Sequence, residues 1–169
     1  GCRPLPRFLI YFLGVFVREK ILQLVQTSPN LPPLPEVLVG LQKLIDDPSL
    51  IAKATDEMLR WVTSVIYFRR TATKDTSIRG QDIKKGDKVV MWYGSANRDE
   101  DIFEDGHLFQ VDRPNAKKHL AFGAGEHLCL GNRLGHMQIR VLFEELLLRF
   151  PDIKYVEDPV RIPSNFLAG

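Results

Sequence analysis

The sequence FGAGEHLCLG, residues 122–131, combines three glycines with one histidine and one cysteine, directly before a long apolar segment. Gly123 and Gly125 permit backbone angles and close approaches that a β-carbon prevents, so this loop can pass against a flat ligand. Cys129 lies where the next helix is predicted to begin, and a helix N-terminus favours negative charge on sulfur. The stretch therefore predicts a binding loop that presents one thiolate.

A structural role is the alternative for Cys129, because an unpaired cysteine is most often a small buried apolar residue. No second cysteine lies within four residues of it, so the ligand spacing of a structural zinc site is absent, as is a thioredoxin-like pair. A single thiolate that acts as an axial ligand is typical of haem iron. Residue type alone leaves both interpretations open.

The loop resembles the haem-ligand signature of the cytochrome P450 superfamily, in which fixed spacings separate an aromatic residue, Gly, Arg or His, Cys and Gly. The matching positions are Phe122, Gly125, His127, Cys129 and Gly131. The resemblance implies that Cys129 binds the iron of haem b and that His127 binds a haem propionate. It also implies that the haem lies against Phe122, Gly123, Gly125 and Gly131.

A second superfamily motif, Glu-x-x-Arg on a helix upstream of the cysteine loop, matches Glu57 and Arg60. As an exposed pair they would contribute only roughly 0.3 kcal/mol. In the superfamily the pair is buried and completed by an arginine from the intervening segment, which implies Arg113 here. Removing one partner of such a network costs about 3–5 kcal/mol, so we expect these residues to stabilise the fold rather than to perform chemistry.

The residues upstream of the loop predict short helices and strands. Residues 36–45 favour a helix, and the turn DDPS, residues 46–49, is expected to cap the next one. That helix carries one apolar stripe, made of Ile51, Ala54, Met58 and Trp61. Residues 65–73 predict a strand, and two short strands follow near residues 76–79 and 89–93 with the turn KKGD between them.

The residues on either side of the loop predict a turn and a helix. Residues 95–105 predict a short helix and an acidic turn, and Gly106 stands where the superfamily commonly has proline, which predicts a looser turn. After the loop, residues 130–150 are apolar on nearly all sides and predict a buried helix that Pro151 ends. The apolar positions of this predicted helix include Leu134, Met137, Val141, Leu142, Leu146 and Leu147.

Arg69 and Arg70 fall on opposite faces of the predicted strand 65–73, so only one of them can point inward. Similar superfamily members place a propionate-binding arginine five residues before an aspartate, and Arg70 precedes Asp75 by that distance. The resemblance therefore implies that Arg70 binds a haem propionate. The alternative is a solvated strand residue, because arginine is mostly exposed.

The N-terminal residues 1–35 predict a segment separate from the haem-ligand portion, residues 36–169. Two arginines precede the apolar run 8–17, as in a signal sequence, but no convincing cleavage site follows. A membrane-spanning helix needs about 20 apolar residues, so this run favours a core helix or a non-native end over an anchor. The proline-rich TSPNLPPLP, residues 27–35, predicts the boundary.

The overall composition is that of a globular domain. The chain has 169 residues, 44% of them apolar, and a net charge of +2. Its basic residues are scattered, which argues against a nucleic-acid partner. Cys2 and Cys129 are the only cysteines, too few for a disulfide framework, so we expect a reducing, cytoplasmic compartment.

The resemblance covers residues 41–169 and implies a mixed fold, mainly α with small β-sheets, as the incomplete C-terminal part of the cytochrome P450 fold. It implies a haem-thiolate monooxygenase that inserts one oxygen atom from O2 into an organic, lipophilic substrate. Electrons from NAD(P)H would arrive through a ferredoxin or a reductase. The loop and the strand region are most similar to soluble bacterial members, including those that act on steroids and branched lipids.

The superfamily's distal helix, which bears an acid and an alcohol that deliver protons, has no match within residues 1–42. We therefore expect a fragment of such an enzyme. Two alternatives remain open, a truncated haem-binding module without turnover and a fragment without function.

Overall fold

The computed structural model of the chain describes residues 34–153, and the remaining residues, including most of the predicted N-terminal segment, lie outside this range. The elements, in chain order, are α1 (Leu34–Asp46), α2 (Ile51–Val62), β1 (Tyr67–Thr71), β2 (Thr76–Ile78), β3 (Gln81–Ile83), β4 (Lys88–Trp92), α3 (Tyr93–Ala96) and α4 (Asn132–Arg149). None of these helices has both the length and the apolar character that crossing a bilayer requires.

Helix α2 lies at the centre of the described structure. The apolar stripe predicted for it is confirmed, since Ile51, Ala54, Met58 and Trp61 are all at most 6% exposed. Three of these residues pack with side chains from α1, α4 and the segment before the cysteine loop. The buried core consists of Leu44, Ile51, Ala54, Met58, Val111 and Leu147. Because α2 is covered on several sides, four of its polar residues are buried as well: Thr55, Asp56, Glu57 and Arg60.

The predicted cap before α2 acts one turn earlier than expected. The Asp47 carboxylate accepts a hydrogen bond from the Ser49 amide at 3.0 Å and caps the 3₁₀ turn Pro48–Leu50. This turn continues directly into α2, which has no side-chain cap of its own at Leu50. Helix α2 ends at Thr63 in a left-handed conformation, with φ at 43°.

The strands form two separate antiparallel pairs. Strands β1 and β4 pair with Arg70 opposite Val89, and β2 pairs with β3. The positive φ angles of Arg79 and Gly80 form the two-residue turn between β2 and β3. The prediction missed β3, since Gln81 and Asp82 are poor strand formers. The KKGD turn therefore connects β3, rather than β2, to β4.

The prediction that α4 is a buried helix is wrong for the described structure. Leu147 is 7% exposed, but Leu134 and Met137 are 54% and 51% exposed. The described residues cover only one side of α4, where Ile139 and Phe143 join Leu147 against the core. Apolar residues on all sides of a helix do not indicate which of those sides other elements of the chain cover.

Candidate functional site

Glu57 and Arg60, one turn apart on α2, form a two-pronged ion pair with no exposed side-chain surface. The Arg60 Nε lies 2.7 Å from one Glu57 oxygen, and Nη2 lies 2.8 Å from the other. Arg113 adds a third contact, with its Nε 3.2 Å from Glu57 Oε1. The structure thus brings together the three residues that sequence reasoning grouped, and their geometry is the parallel fork that strengthens arginine–carboxylate pairs.

All five N–H donors of Arg60 are used. Besides the two bonds to Glu57, they reach the backbone carbonyls of Asn97, Gly106 and Leu108 at 2.6–3.0 Å. Arg113 donates to the carbonyls of Glu104, Asp105 and Leu108. The two arginines therefore hold the loop that follows α3 against α2 through its backbone, because each guanidinium presents several donors in one plane.

Asn97 is a buried site residue that sequence reasoning missed. It is completely buried, its Nδ2 donates to Thr63 Oγ1 at 2.8 Å, and its Oδ1 accepts from the Leu120 amide at 2.7 Å. One side chain thus joins the end of α2 to the segment that leads into the cysteine loop. No local signal marks Asn97, since its partners are 34 and 23 residues away in the chain.

Gly106 is required by this packing, contrary to the expectation of a looser turn. A β-carbon there would lie 2.6 Å from the Arg98 carbonyl oxygen, which is backbone and cannot move aside cheaply. We expect Gly106→Ala to lower the free energy of unfolding by about 1–3 kcal/mol, measured by urea denaturation. Gly94→Ala is the control, because its nearest contact would be an ordinary 3.9 Å. Equal midpoints for the two variants would contradict this account.

Two glycines of the cysteine loop adopt the left-handed backbone conformation. Gly123 and Gly125 have φ angles of 76° and 65°, and the Cys129 amide donates to the Phe122 carbonyl at 2.9 Å. The Cys129 carbonyl in turn accepts from the Asn132 amide at 3.2 Å, at the start of α4. These bonds fix the backbone on both sides of the cysteine and leave its thiol exposed.

The surroundings of Cys129 suit a large flat cofactor. A β-carbon on Gly131 would lie 3.7 Å from Sγ, so the glycine keeps the space beside the sulfur open. Leu128 and Leu130 flank the cysteine and are 50% and 103% exposed. An accessible sulfur at the start of a helix, bordered by uncovered apolar side chains, is the donor environment that a haem with a thiolate ligand needs.

Arg70 lies on β1, and His127 lies in the cysteine loop two residues before Cys129. Arg70 is half-buried on β1, and its guanidinium lies 5.6 Å from the centre of the Phe68 ring. Arg69 is exposed, as the alternation of faces predicts. His127 is exposed in the 3₁₀ turn Gly125–His127. Within residues 34–153 no hydrogen bond or ion pair joins Arg70 or His127 directly to Cys129, and their binding of the haem propionates stays a prediction.

A second polar cluster, which sequence reasoning missed, connects α2 with α4. His136 Nε2 lies 2.9 Å from the Asp56 carboxylate, and His119 Nε2 lies 3.8 Å from the same oxygen. Burial lowers the pKa of His119 to about 4, against the opposing effect of the Asp56 charge. The motifs carry no signal for this cluster, because its members are 17 to 80 residues apart.

The buried His119 makes stability depend on pH. The unfolded chain takes up this proton near pH 6.5 and the folded chain only near pH 4, so stability present above pH 6.5 is lost as the pH falls between these values. At about 1.4 kcal/mol per pKa unit, we expect a loss of about 3 kcal/mol. His119→Asn keeps a hydrogen-bond acceptor and does not titrate, so its urea midpoint should fall much less over this interval. The same pH dependence in both proteins would contradict the assignment.

The fold and the site together define a class of protein. An exposed cysteine on a glycine-rich loop precedes a long helix, and a buried Glu-x-x-Arg pair with a second arginine holds the segment behind it. This arrangement resembles the cysteine-bearing portion of haem-thiolate proteins. The chain belongs to the cytochrome P450 family, whose model matches residues 42–165.

Known relatives agree with this assignment. The chain is 48% identical over 122 residues to linalool 8-monooxygenase of Pseudomonas putida, which covers 72% of this chain and 30% of that protein. It is 45% identical over 125 residues to a methyl-branched lipid omega-hydroxylase of Mycobacterium tuberculosis, covering 73% of this chain and 29% of the relative. The solved structure of CYP153D17 from Sphingomonas sp. PAMC 26605 aligns with a TM-score of 0.73 and 45% identity, covering 79% and 34%.

The comparisons confirm the family and the fold class expected from the motifs, including the similarity to bacterial members. The chain spans about 30% of the length of these curated relatives. Membership of this family implies a haem cofactor and an oxidoreductase chemistry at the family level.

Proposed function

We propose that this chain provides the haem-ligand portion of a haem-thiolate monooxygenase, with the Cys129 thiolate as the axial ligand of haem iron. The observation that carries the proposal is the exposed thiol on a loop whose backbone is fixed on both sides, directly before α4. Bound haem with such a ligand supplies the activation of O2, because the thiolate donates electron density that favours cleavage of the oxygen–oxygen bond.

The residues around Cys129 have separate tasks in this proposal. The N-terminal end of α4 stabilises the negative charge of the sulfur. The open space at Gly131 admits the flat cofactor, and Leu128 and Leu130 supply apolar contact. The network of Glu57, Arg60 and Arg113 holds the backbone behind the loop and takes no part in the chemistry.

Arg70 and His127 are proposed to bind the haem propionates, Arg70 from β1 and His127 from the loop. We expect Arg70→Ala to weaken haem binding about tenfold, the loss of a charged hydrogen bond, while the iron–sulfur bond persists. Haem titration followed by absorbance measures the affinity. Arg69→Ala is the matched control, since its side chain is exposed on the opposite face. Unchanged haem affinity in Arg70→Ala would remove this residue from the site.

A lipophilic organic substrate and an external electron donor complete the proposal. The relatives' names specify linalool, a methyl-branched lipid and, for a relative 41% identical from Mycolicibacterium smegmatis, a steroid. These molecules share a large apolar surface, so we propose the same chemical class here. We further propose that NAD(P)H supplies the electrons through a ferredoxin or a reductase in the cytoplasm.

A haem-binding portion without turnover is the second candidate. In the described residues Cys129 is exposed, and its two chain neighbours Leu128 and Leu130 are exposed as well. An uncovered site admits water, which weakens the electrostatic control that oxygen chemistry requires.

Reconstitution with haem separates the two candidates. A ferrous carbon monoxide complex with the red-shifted thiolate band, together with oxidation of a lipophilic substrate by an added redox partner, supports the monooxygenase. The same band without oxidation supports the haem-binding portion. Failure to take up haem would contradict both.

A further inference from the structure

Asp56, His119 and His136 come from three separate parts of the chain and lie together between α2 and the start of α4. Asp56 is 6% exposed, and its Oδ1 lies 2.9 Å from His136 Nε2. The other ring nitrogen of His136, Nδ1, lies 2.9 Å from the Asn132 carbonyl oxygen. The Asn132 carbonyl only accepts hydrogen bonds, and so does the Asp56 carboxylate when it is ionised. When both bonds are made, each nitrogen carries a proton and the ring is a cation.

Two histidines and a carboxylate with ligand atoms within 4.8 Å of one another also have the composition of a metal site. The hydrogen bonds of His119 argue against that interpretation. Its Nδ1 accepts from the Ala121 amide at 3.2 Å, so the neutral ring carries its proton on Nε2. Nε2 is the atom directed towards Asp56, and a metal ion could bind there only if this nitrogen lost its proton while Nδ1 still accepted from Ala121.

The buried Asp56 carboxylate needs a cation beside it. His119 is neutral at pH 7, since burial lowers its pKa to about 4. Arg60, the nearby guanidinium, has all its donors committed to Glu57 and to backbone carbonyls. The groups that face His136 are Asp56 on α2 and His119 before the loop, so His136 is the residue that balances the carboxylate.

The His136 ring also supports the cysteine loop. Its centre lies 5.3 Å from the Phe122 ring and 5.9 Å from the His119 ring, nearly parallel to the latter. The Phe122 carbonyl accepts the hydrogen bond from the Cys129 amide. A continuous set of contacts therefore runs from Asp56 through His136 and Phe122 to the cysteine.

We propose that His136 is a positioning residue: as an imidazolium held between the Asp56 carboxylate and the Asn132 carbonyl, it fixes Phe122 and so orients the Cys129 sulfur. The effect on the sulfur rests on the proposed role of Cys129 as iron ligand. The protonation and the contact with Asp56 do not.

Nitrogen-15 NMR of the histidine rings in the haem-free chain at pH 7 tests the charged state. We expect two protonated ring nitrogens for His136 and one for His119, and Asp56→Asn should remove the second proton of His136. A singly protonated His136 in the unaltered chain would overturn the proposal. So would added Zn²⁺ that removes the Nε2 proton of His119 and shifts both rings, because that result would identify a metal site.

The absorption spectrum of the ferrous carbon monoxide complex of the haem-loaded chain tests whether His136 positions the Cys129 sulfur. We expect His136→Gln to lower the ratio of thiolate to non-thiolate complex about tenfold. When Asp56→Asn is combined with His136→Gln, we expect little further loss, because the two residues act together. His136→Arg restores the charge and should hold the ratio within about twofold. His107→Gln, at an exposed position, is the control. A normal ratio in His136→Gln, or equal losses for Gln and Arg, would overturn the proposal. If the unaltered chain gives no thiolate band, the role of Cys129 fails and the NMR result still stands.

Discussion

Replacing Arg60 with alanine is expected to lower the free energy of unfolding by about 3–5 kcal/mol, a large share of the roughly 5–15 kcal/mol that stabilises a typical domain. The substitution leaves Glu57 as a buried carboxylate without its two-pronged partner. It also removes the Arg60 donors from the carbonyls of Asn97 and Gly106, while the Leu108 carbonyl keeps its bond from Arg113. Urea denaturation followed by circular dichroism measures the loss.

A matched control comes from an exposed ion pair. Arg79 and Asp101 lie 3.3 Å apart with side chains 79% and 72% exposed, so Arg79→Ala should change stability by less than about 1 kcal/mol. Arg60→Lys keeps the charge but loses the planar fork, and we expect it to recover only part of the stability. An Arg60→Ala variant as stable as Arg79→Ala would show that the buried network does not support the fold.

Cys129→Ser is expected to abolish the thiolate character of the haem complex completely. A serine hydroxyl fits the same backbone, but it stays protonated at neutral pH and supplies no comparable electron density to iron. The ferrous carbon monoxide spectrum should therefore lose its red-shifted band, while circular dichroism remains unchanged because the side chain is exposed.

Cys2→Ser is the control for the other cysteine of the chain, and its spectrum should match that of the unaltered protein. A red-shifted band that survives in Cys129→Ser and disappears in Cys2→Ser would show that Cys2, and not Cys129, is the iron ligand.

Local spacing made part of the site predictable. Glu57 and Arg60 lie one helical turn apart, so a helix brings them together whatever else the chain does. Arg113 was reached only through the family resemblance, because 56 residues separate it from Glu57. The glycine-rich loop could be predicted for the same reason as the Glu57–Arg60 pair, since its motif has short and specific spacings.

Long-range polar contacts were not predictable. Asp56 and His136 are 80 residues apart, and Asn97 joins two segments that no pattern relates. Burial of α4 was wrongly predicted, since hydrophobic periodicity reports which side chains are apolar and not which of them the neighbouring elements cover. Gly106 illustrates the same limit, because its close contact with the Arg98 carbonyl depends on tertiary packing.

X-ray absorption at the iron edge of the haem-loaded chain tests the central claim most directly, because it detects the atoms bound to iron. We predict one sulfur ligand in the unaltered protein and none in Cys129→Ser. An iron bound only by nitrogen and oxygen in the unaltered protein would contradict the assignment of Cys129 as the ligand.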